Sequence, residues 1–186
     1  MTASHNLYFL SAIGAFFAVL MVVTGYYYLL ARRSSQAGWE DILGKLTWFD
    51  RNVIEEVALD VADNTRDALA EDDDGLDPAA LWKMIGGMKG LEILEQNSKV
   101  LIELACYLQR SHPEALPIAE QLRLDSRALQ WHVDRLKGAA KTGNLEISFP
   151  FYAQRAVSTY YQMTRRVLAL YEATNFTQLP KLHQAL

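Results

Sequence analysis

Residues 116–172 read LPIAEQLRLDSRALQWHVDRLKGAAKTGNLEISFPFYAQRAVSTYYQMTRRVLALYE. Their first part predicts a short helix over Pro117–Arg123, a tight turn at Leu124-Asp125 and a second helix that ends near Lys137. Asp125 or Ser126 suits the N-cap of that second helix, because a short polar side chain can accept a hydrogen bond from the free backbone N–H groups there. The predicted buried stripe of the second helix consists of three apolar residues at helical spacing, Leu129, Val133 and Leu136.

The rest of this segment is rich in β-branched and aromatic residues, which are enriched in strands. It predicts two strands, Leu145–Tyr152 and Ala156–Met163, with a hairpin tip over Tyr152–Arg155. A last helix is predicted over about residues 164–173. Helices followed by a β-hairpin predict a small α+β domain within a mainly α-helical chain.

The motif IAExLxLD over residues 118–125, followed by LxxHVxRLxxA over residues 129–139, resembles the second and third helices of bacterial winged helix-turn-helix regulators. Residues 100–108 resemble the first helix of that family, and the predicted hairpin resembles its wing. The resemblance extends over about residues 98–175. It implies a winged-helix fold and a DNA-binding transcription regulator, whose second motif helix lies in the major groove.

The resemblance also implies which side chains contact DNA. Four residues of the second motif helix are expected to face base edges: Ser126, Arg127, Gln130 and Trp131. Four further residues are expected to meet phosphates: Lys137, Lys141, Gln154 and Arg155. An alternative function is open, because Ala140-Lys141 stands where the family has glycine and Asp134 is acidic. In that alternative, the protein is a non-catalytic, membrane-anchored adaptor whose winged helix binds a cytoplasmic protein partner or dimerises.

The chain begins with an uncharged segment, Leu7–Ala31, which Arg32-Arg33 follows. Since about 20 apolar residues cross the ~30 Å hydrocarbon core of a bilayer, this segment predicts one transmembrane helix. Arginine near a span favours the cytoplasmic side, so we expect a single-pass inner (plasma) membrane protein with residues 34–186 in the cytoplasm and the N-terminus outside. One side of this predicted helix carries small residues, which predict homodimerisation through the span: Ser11, Gly14, Ala15 and Ala18.

Between the predicted anchor and the predicted winged helix, apolar residues recur at helical spacing from Trp39 to about residue 64 or 70. They predict an amphipathic stalk helix with an acidic outer face, which packs either on the next module or on its twin in a dimer. An acidic linker follows, and Asp77-Pro78 then predicts the start of a helix that contains Gly86, Gly87 and Gly90. These glycines predict a kink or a close helix contact. The predicted domain organisation is an anchor (1–33), a stalk with linker (34–77), a helical and winged-helix-like domain (78–175) and a C-terminal tail (176–186).

The net charge of −4 is unevenly distributed along the chain. Residues 39–97 hold 15 acidic and 5 basic side chains (−10), whereas residues 98–177 hold 10 basic and 7 acidic ones (+3). This asymmetry predicts two modules with different partners. The four histidines are scattered and lie near no Cys, Asp or Glu at metal-ligand or catalytic-triad spacing. We therefore expect no enzymatic activity, no cofactor and no metal.

Overall fold

The computed structural model describes residues 13–26, 38–66 and 77–186, without the side chains of residues 61–66. The chain divides into two compact units, Met1–Gly38 and Trp39–Leu186. The described part of the first unit is one helix, α1, over residues 13–26, and its side chains are exposed. The hydrophobic core belongs to the second unit.

The structure contradicts the predicted transmembrane helix. Among the described residues, no helix is both long and apolar enough to cross a membrane. Residues 13–26 are the part of the predicted span that is described, and they form helix α1. The predicted single-pass topology and the location in the inner membrane are therefore wrong.

The small-residue face of the predicted span is only partly described. Gly14, Ala15 and Ala18 lie in α1 and are exposed. Ser11 lies outside the described residues, as do residues 7–12 and 27–31 of the predicted span. Dimerisation through this face stays a prediction from the sequence.

The second unit is a helical bundle. Its helices are α2 (Trp39–Leu43), α3 (Arg51–Arg66), α4 (Pro78–Ile85), α5 (Gly87–Gln109), α6 (Leu116–Thr142), α7 (Leu145–Ala173) and α8 (Leu179–Ala185), with one 3₁₀ turn over Pro113–Ala115. Helices α5, α6 and α7 form the centre, α3 packs against α7, and α2 packs against α5. The short helices α4 and α8 both contact α7.

The buried residues of the long helices explain the bundle. In α6 they recur at alternating intervals of three and four, as Ala119, Leu122, Ser126, Leu129, Val133 and Leu136. In α7 they follow the same rhythm, as Phe149, Ala153, Ala156, Tyr160, Met163, Val167 and Leu170. Such spacing keeps one stripe of each helix facing its neighbours, as in coiled coils and helical bundles.

Contacts across the bundle define the helix directions. The Ser126 hydroxyl of α6 lies 2.9 Å from the Ser98 hydroxyl of α5, which itself donates to the Glu95 carbonyl at 2.7 Å. The Tyr171 hydroxyl, near the end of α7, donates to the Leu104 carbonyl of α5 at 2.9 Å. The Arg166 guanidinium of α7 pairs with Asp125 of α6. Helices α5 and α7 are therefore parallel, and α6 runs antiparallel between them.

The predicted helix-turn-helix is wrong. Helix α6 is continuous through Leu124-Asp125, where the turn was predicted. Asp125 caps no helix and instead accepts a hydrogen bond from Gln121 at 2.9 Å and pairs with Arg166. The three–four rhythm of buried residues passes through the predicted turn without interruption, and the helix ends only at Gly143, whose φ of 76° is left-handed.

The predicted β-hairpin, and with it the winged-helix fold, is also wrong. Residues 145–173 form the single helix α7, and no strand occurs in residues 13–26, 38–66 or 77–186. The proposed tip, Tyr152–Arg155, contains no Gly, Asn or Asp to adopt the positive φ angles of a tight hairpin turn. β propensity depends on context, and here the burial of one helical stripe outweighs it.

The predicted stalk helix is interrupted. Helices α2 and α3 are separated by residues 44–50, because a side chain from α5 binds the loop. The Asn97 amide donates to the Thr47 carbonyl at 2.7 Å, and the Thr47 N–H donates to the Asn97 side-chain oxygen at 2.9 Å. Asn97 is buried, so this loop is part of the bundle, and α3 packs on α7, which is one of the two predicted alternatives.

The glycine-rich segment is a junction between two helices, whereas the sequence predicted one helix with a kink or a close helix contact at these glycines. Asp77 caps α4, as expected, by accepting a hydrogen bond from the Ala80 N–H at 3.3 Å. Helix α4 then ends at Gly86 (φ 77°) and α5 begins at Gly87 (φ 63°). One turn later, a Cβ on Gly90 would lie only 1.7 Å from the Ile85 carbonyl oxygen. Helices α4 and α5 can therefore meet only because position 90 has no side chain.

The two ends of the second unit lie together. Trp39 begins α2 and packs on Phe176, with ring centroids 5.6 Å apart. Phe176 also contacts Tyr171 at 5.1 Å. On the surface beside them, Lys181 of α8 pairs with Glu40 of α2 at 2.7 Å. An aromatic cluster thus joins the start of this unit to its C-terminal part.

Candidate functional site

The outer sides of α6 and α7 form a continuous surface of aromatic and arginine side chains. Trp131 of α6 meets Tyr152 of α7, with ring centroids 5.7 Å apart in an edge-to-face arrangement. Phe151 lies beside Tyr152 at 5.1 Å. With Arg135 and Arg155, these residues are called the aromatic–arginine face.

Each arginine of this face stacks on an aromatic ring. The guanidinium carbon of Arg135 lies 5.0 Å from the centre of the Trp131 ring, and that of Arg155 lies 4.8 Å from the centre of the Phe151 ring. These distances are typical of cation–π interactions. None of the ion pairs between described residues involves Arg135, Arg155 or the neighbouring Arg127. The face therefore presents positive charge that no carboxylate of the described chain neutralises.

The apolar part of this face is unusually open to solvent. The exposed fraction is 47% for Trp131 and 52% for Phe151, and it reaches 84% for Ile147, one turn before Phe151. Scattered apolar residues are normal on a protein surface, but adjacent exposed rings indicate an interaction site. Trp, Tyr and Arg are also the residues most often found at the energetic centre of protein interfaces.

His132 lies directly behind the face. Its ring centroid is 5.0 Å from that of Trp131 and 5.9 Å from that of Tyr152. Its Nδ1 atom is buried and bonds to no described residue. Burial lowers the pKa of His132 below its ordinary value, and the positive charge of Arg155 lowers it further. The imidazole is therefore neutral at pH 7, and the charge of the face comes from its arginines.

This arrangement predicts that Arg155→Gln raises the pKa of His132, because the repulsion between the guanidinium and the imidazolium is removed. The pKa is measured by NMR titration of the imidazole signals. Because the folded-state pKa is depressed, the contribution of His132 to stability is present above its unfolded pKa of about 6.5 and decreases as the pH falls. The matched control is Arg165→Gln, which removes an exposed arginine that stacks on Tyr161. Equal shifts of the His132 pKa in the Arg155 and Arg165 variants would contradict the interaction between Arg155 and His132.

The eight residues that were predicted to bind DNA fall into two groups, those that interact within the bundle and those that are exposed. Three of them interact within the bundle: Ser126 is buried against Ser98, Lys137 pairs with Glu95 at 3.4 Å and Glu92 at 3.7 Å, and Gln154 donates to Asp60 at 3.1 Å. The others are exposed: Arg127, Gln130, Trp131, Lys141 and Arg155. Of these, Trp131 and Arg155 come together on the aromatic–arginine face.

Sequence reasoning missed the remaining members of the face, Arg135, Phe151 and Tyr152. A signal was present, because Ile147, Phe151 and Arg155 follow one another at intervals of four, which places them on one side of a helix. The prediction of a strand over residues 145–152, with side chains alternating between two faces, did not take this helical spacing into account.

Two features of the described residues concern metal and thiol chemistry. In residues 13–26, 38–66 and 77–186, no group of three or more His, Cys, Asp or Glu side chains is placed to hold a metal ion. Cys106 is half-buried, and the Arg123 guanidinium donates to its sulfur at 3.3 Å. Comparisons with protein-family models, with curated proteins and with solved structures found no match to this chain.

Proposed function

We propose that residues 39–186 are a non-catalytic protein-interaction domain that binds an acidic, apolar segment of a partner through the aromatic–arginine face. The observation that carries this proposal is the pairing of exposed rings with stacked arginines on adjacent helices. Large rigid rings provide buried area at low entropic cost, and guanidinium groups bind carboxylates in bidentate geometry.

The charge of the face supports an acidic partner. Arg127, Arg135 and Arg155 are exposed and form no ion pair with a described residue. The one carboxylate on the adjoining exposed part of α6 is Asp134. An acidic segment would therefore pair with the arginines, while its apolar side chains cover Trp131 and Phe151.

A protein partner fits these observations better than DNA. The DNA-binding prediction depended on a recognition helix and a wing, and α6 and α7 provide neither. Ser126, which was expected to read a base, is buried inside the bundle.

The test measures binding of the full-length chain to three labelled probes by fluorescence anisotropy. The probes are an amphipathic helical peptide with Leu and Phe on one side and Glu on the other, the same peptide with Lys in place of Glu, and a random DNA duplex. We expect the Glu peptide to bind best. Trp131→Ala and Arg155→Ala should each weaken its binding about tenfold, which is about 1.4 kcal/mol.

The matched control is Trp48→Ala, which removes an equally large exposed ring from the loop between α2 and α3, away from the face. It should leave binding of the Glu peptide unchanged. Preference for the Lys peptide, or equal losses in the Trp48 and Trp131 variants, would overturn the proposal. Salt-sensitive DNA binding that Arg155→Ala abolishes would assign the face to nucleic acid instead.

A further inference from the structure

A concave surface lies between the N-terminal ends of α4 and α7. It is a groove of about 560 Å³, and its lining includes Asp77, Pro78, Trp82, Leu145, Glu146 and Phe149. Glu146 and Phe149 belong to the same two turns of α7 as Ile147 and Phe151. The groove and the aromatic–arginine face are therefore neighbours on one helix, but they differ in charge.

The floor of the groove is aromatic and firmly supported. The Trp82 ring packs on Phe149 with centroids 4.5 Å apart. It also lies on the backbone of Gly87, since a Cβ at that position would be 2.8 Å from Trp82 Cζ2. Phe149 is buried, whereas 41% of Trp82 remains exposed. Part of the indole is thus held by the bundle, and part is open to a ligand.

The polar lining of the groove is acidic. Asp77 and Glu146 contribute carboxylates, and no Lys or Arg is among the lining residues. Neither carboxylate takes part in an ion pair between described residues. Asp77 uses one oxygen, Oδ2, to cap α4 through the Ala80 N–H, and its Oδ1 atom takes part in none of the described hydrogen bonds.

We propose that this groove binds the side chain of an arginine or lysine from a protein partner. A cation over the open part of the Trp82 ring is attracted by the ring quadrupole, and the two carboxylates neutralise its charge. The aliphatic stem of such a side chain covers the apolar lining from Leu145 and Phe149. Phosphates and acidic peptides are disfavoured, because both charged groups of the groove are negative. This inference does not depend on the function proposed for the aromatic–arginine face, and either can fail alone.

The test follows the Trp82 indole N–H signal of the ¹⁵N-labelled full-length chain by NMR, with the signal assigned from Trp82→Phe. The probes are N-acetyl-arginine methylamide, N-acetyl-glutamate methylamide, and a short peptide with one central arginine among Gly and Ser residues. We expect the arginine compound and the peptide to shift the Trp82 signal, and the glutamate compound to leave it unchanged. The Trp131 indole signal serves as an internal control, because Trp131 lies on the aromatic–arginine face, whose positive charge disfavours the binding of a cation.

Removal of the carboxylates tests their role. Glu146→Gln and Asp77→Asn should each weaken binding of the arginine compound up to about fivefold, as expected for an exposed ion pair. Asn at position 77 preserves the helix cap, so the fold is retained. Asp134→Asn removes an exposed carboxylate of α6 and should have no effect. Unchanged binding in both groove variants, or the absence of any Trp82 shift, would overturn the proposal. A shift with the blocked amino acid but not with the peptide would also overturn it, because a partner side chain could not enter.

Discussion

Gly90→Ala is expected to lower the free energy of unfolding by about 3 kcal/mol or more. The added Cβ would lie 1.7 Å from the Ile85 carbonyl oxygen and 2.8 Å from its carbonyl carbon. Both are backbone atoms at the end of α4, so no side chain can rotate away to make room. Relief requires α4 to separate from α5, which exposes Leu81 and Ile85. The measurement is denaturant unfolding of the full-length chain, followed by far-UV circular dichroism.

The matched control is Gly138→Ala on the exposed side of α6, where a Cβ would meet no atom within 4 Å. Alanine is favoured over glycine inside a helix by about 0.5–1 kcal/mol, so this variant should be more stable than the original chain. The two substitutions are chemically identical and should have opposite signs. Similar stabilities for both variants would show that α4 and α5 are not in close contact.

Asn97→Ala is expected to destabilise the second unit by about 1–3 kcal/mol, because it removes the two hydrogen bonds between this buried side chain and the backbone of Thr47. The Asn97 amide both donates to and accepts from the backbone of Thr47, at 2.7 and 2.9 Å. Asn97 also lowers the pKa of the buried Tyr160 of α7, which burial raises to about 12. One side chain of α5 therefore holds the loop after α2 against the bundle.

Asn52→Ala is the control, since Asn52 is exposed on α3 and its side chain takes part in none of the described hydrogen bonds. It should change the stability by less than about 0.5 kcal/mol. Stability is again measured by denaturant unfolding. If the Asn97 variant were no less stable than the Asn52 variant, the loop between α2 and α3 would not be held by α5.

Local signals predicted the ends of several elements. The Asp77-Pro78 start of α4 could be predicted because it depends only on capping chemistry. Gly86, Gly87 and Gly90 predicted a kink or a close helix contact, because glycines clustered within one turn allow a sharp change of direction, but they did not predict that one helix ends and another begins there. Both features are encoded within one or two turns of chain. No contact from a distant part of the sequence is needed to produce them.

In residues 145–163 and in α6, local preferences and helical periodicity indicate different structures, and the structure follows the periodicity. In residues 145–163, aromatic and β-branched residues suggested strands, although Phe149, Ala153, Ala156 and Tyr160 recur at helical intervals. In α6, the motif that resembles a helix-turn-helix also fits one unbroken helix, since Leu122, Ser126 and Leu129 continue the same stripe. Helix pairs of many folds share such apolar spacing, so the resemblance did not define the fold.

The candidate site could be predicted only in part, because it depends on how helices pair. Trp131 and Arg155 were selected for contacts with DNA, and each is exposed as that role requires. Their common surface exists only because α6 and α7 are antiparallel, which brings Trp131 beside Tyr152. Likewise, the interruption between α2 and α3 depends on Asn97, 50 residues beyond the Thr47 that it binds. Contacts between residues so far apart in the sequence cannot be predicted from local composition.

The aromatic cluster of Trp39 and Phe176 has a consequence for modular evolution. Because the first and last helices of the second unit are in contact, where Glu40 pairs with Lys181, the bundle has an arrangement that allows insertion into a surface loop of a host protein. The same closeness of ends allows the helices to be reordered by circular permutation while the bundle keeps its packing.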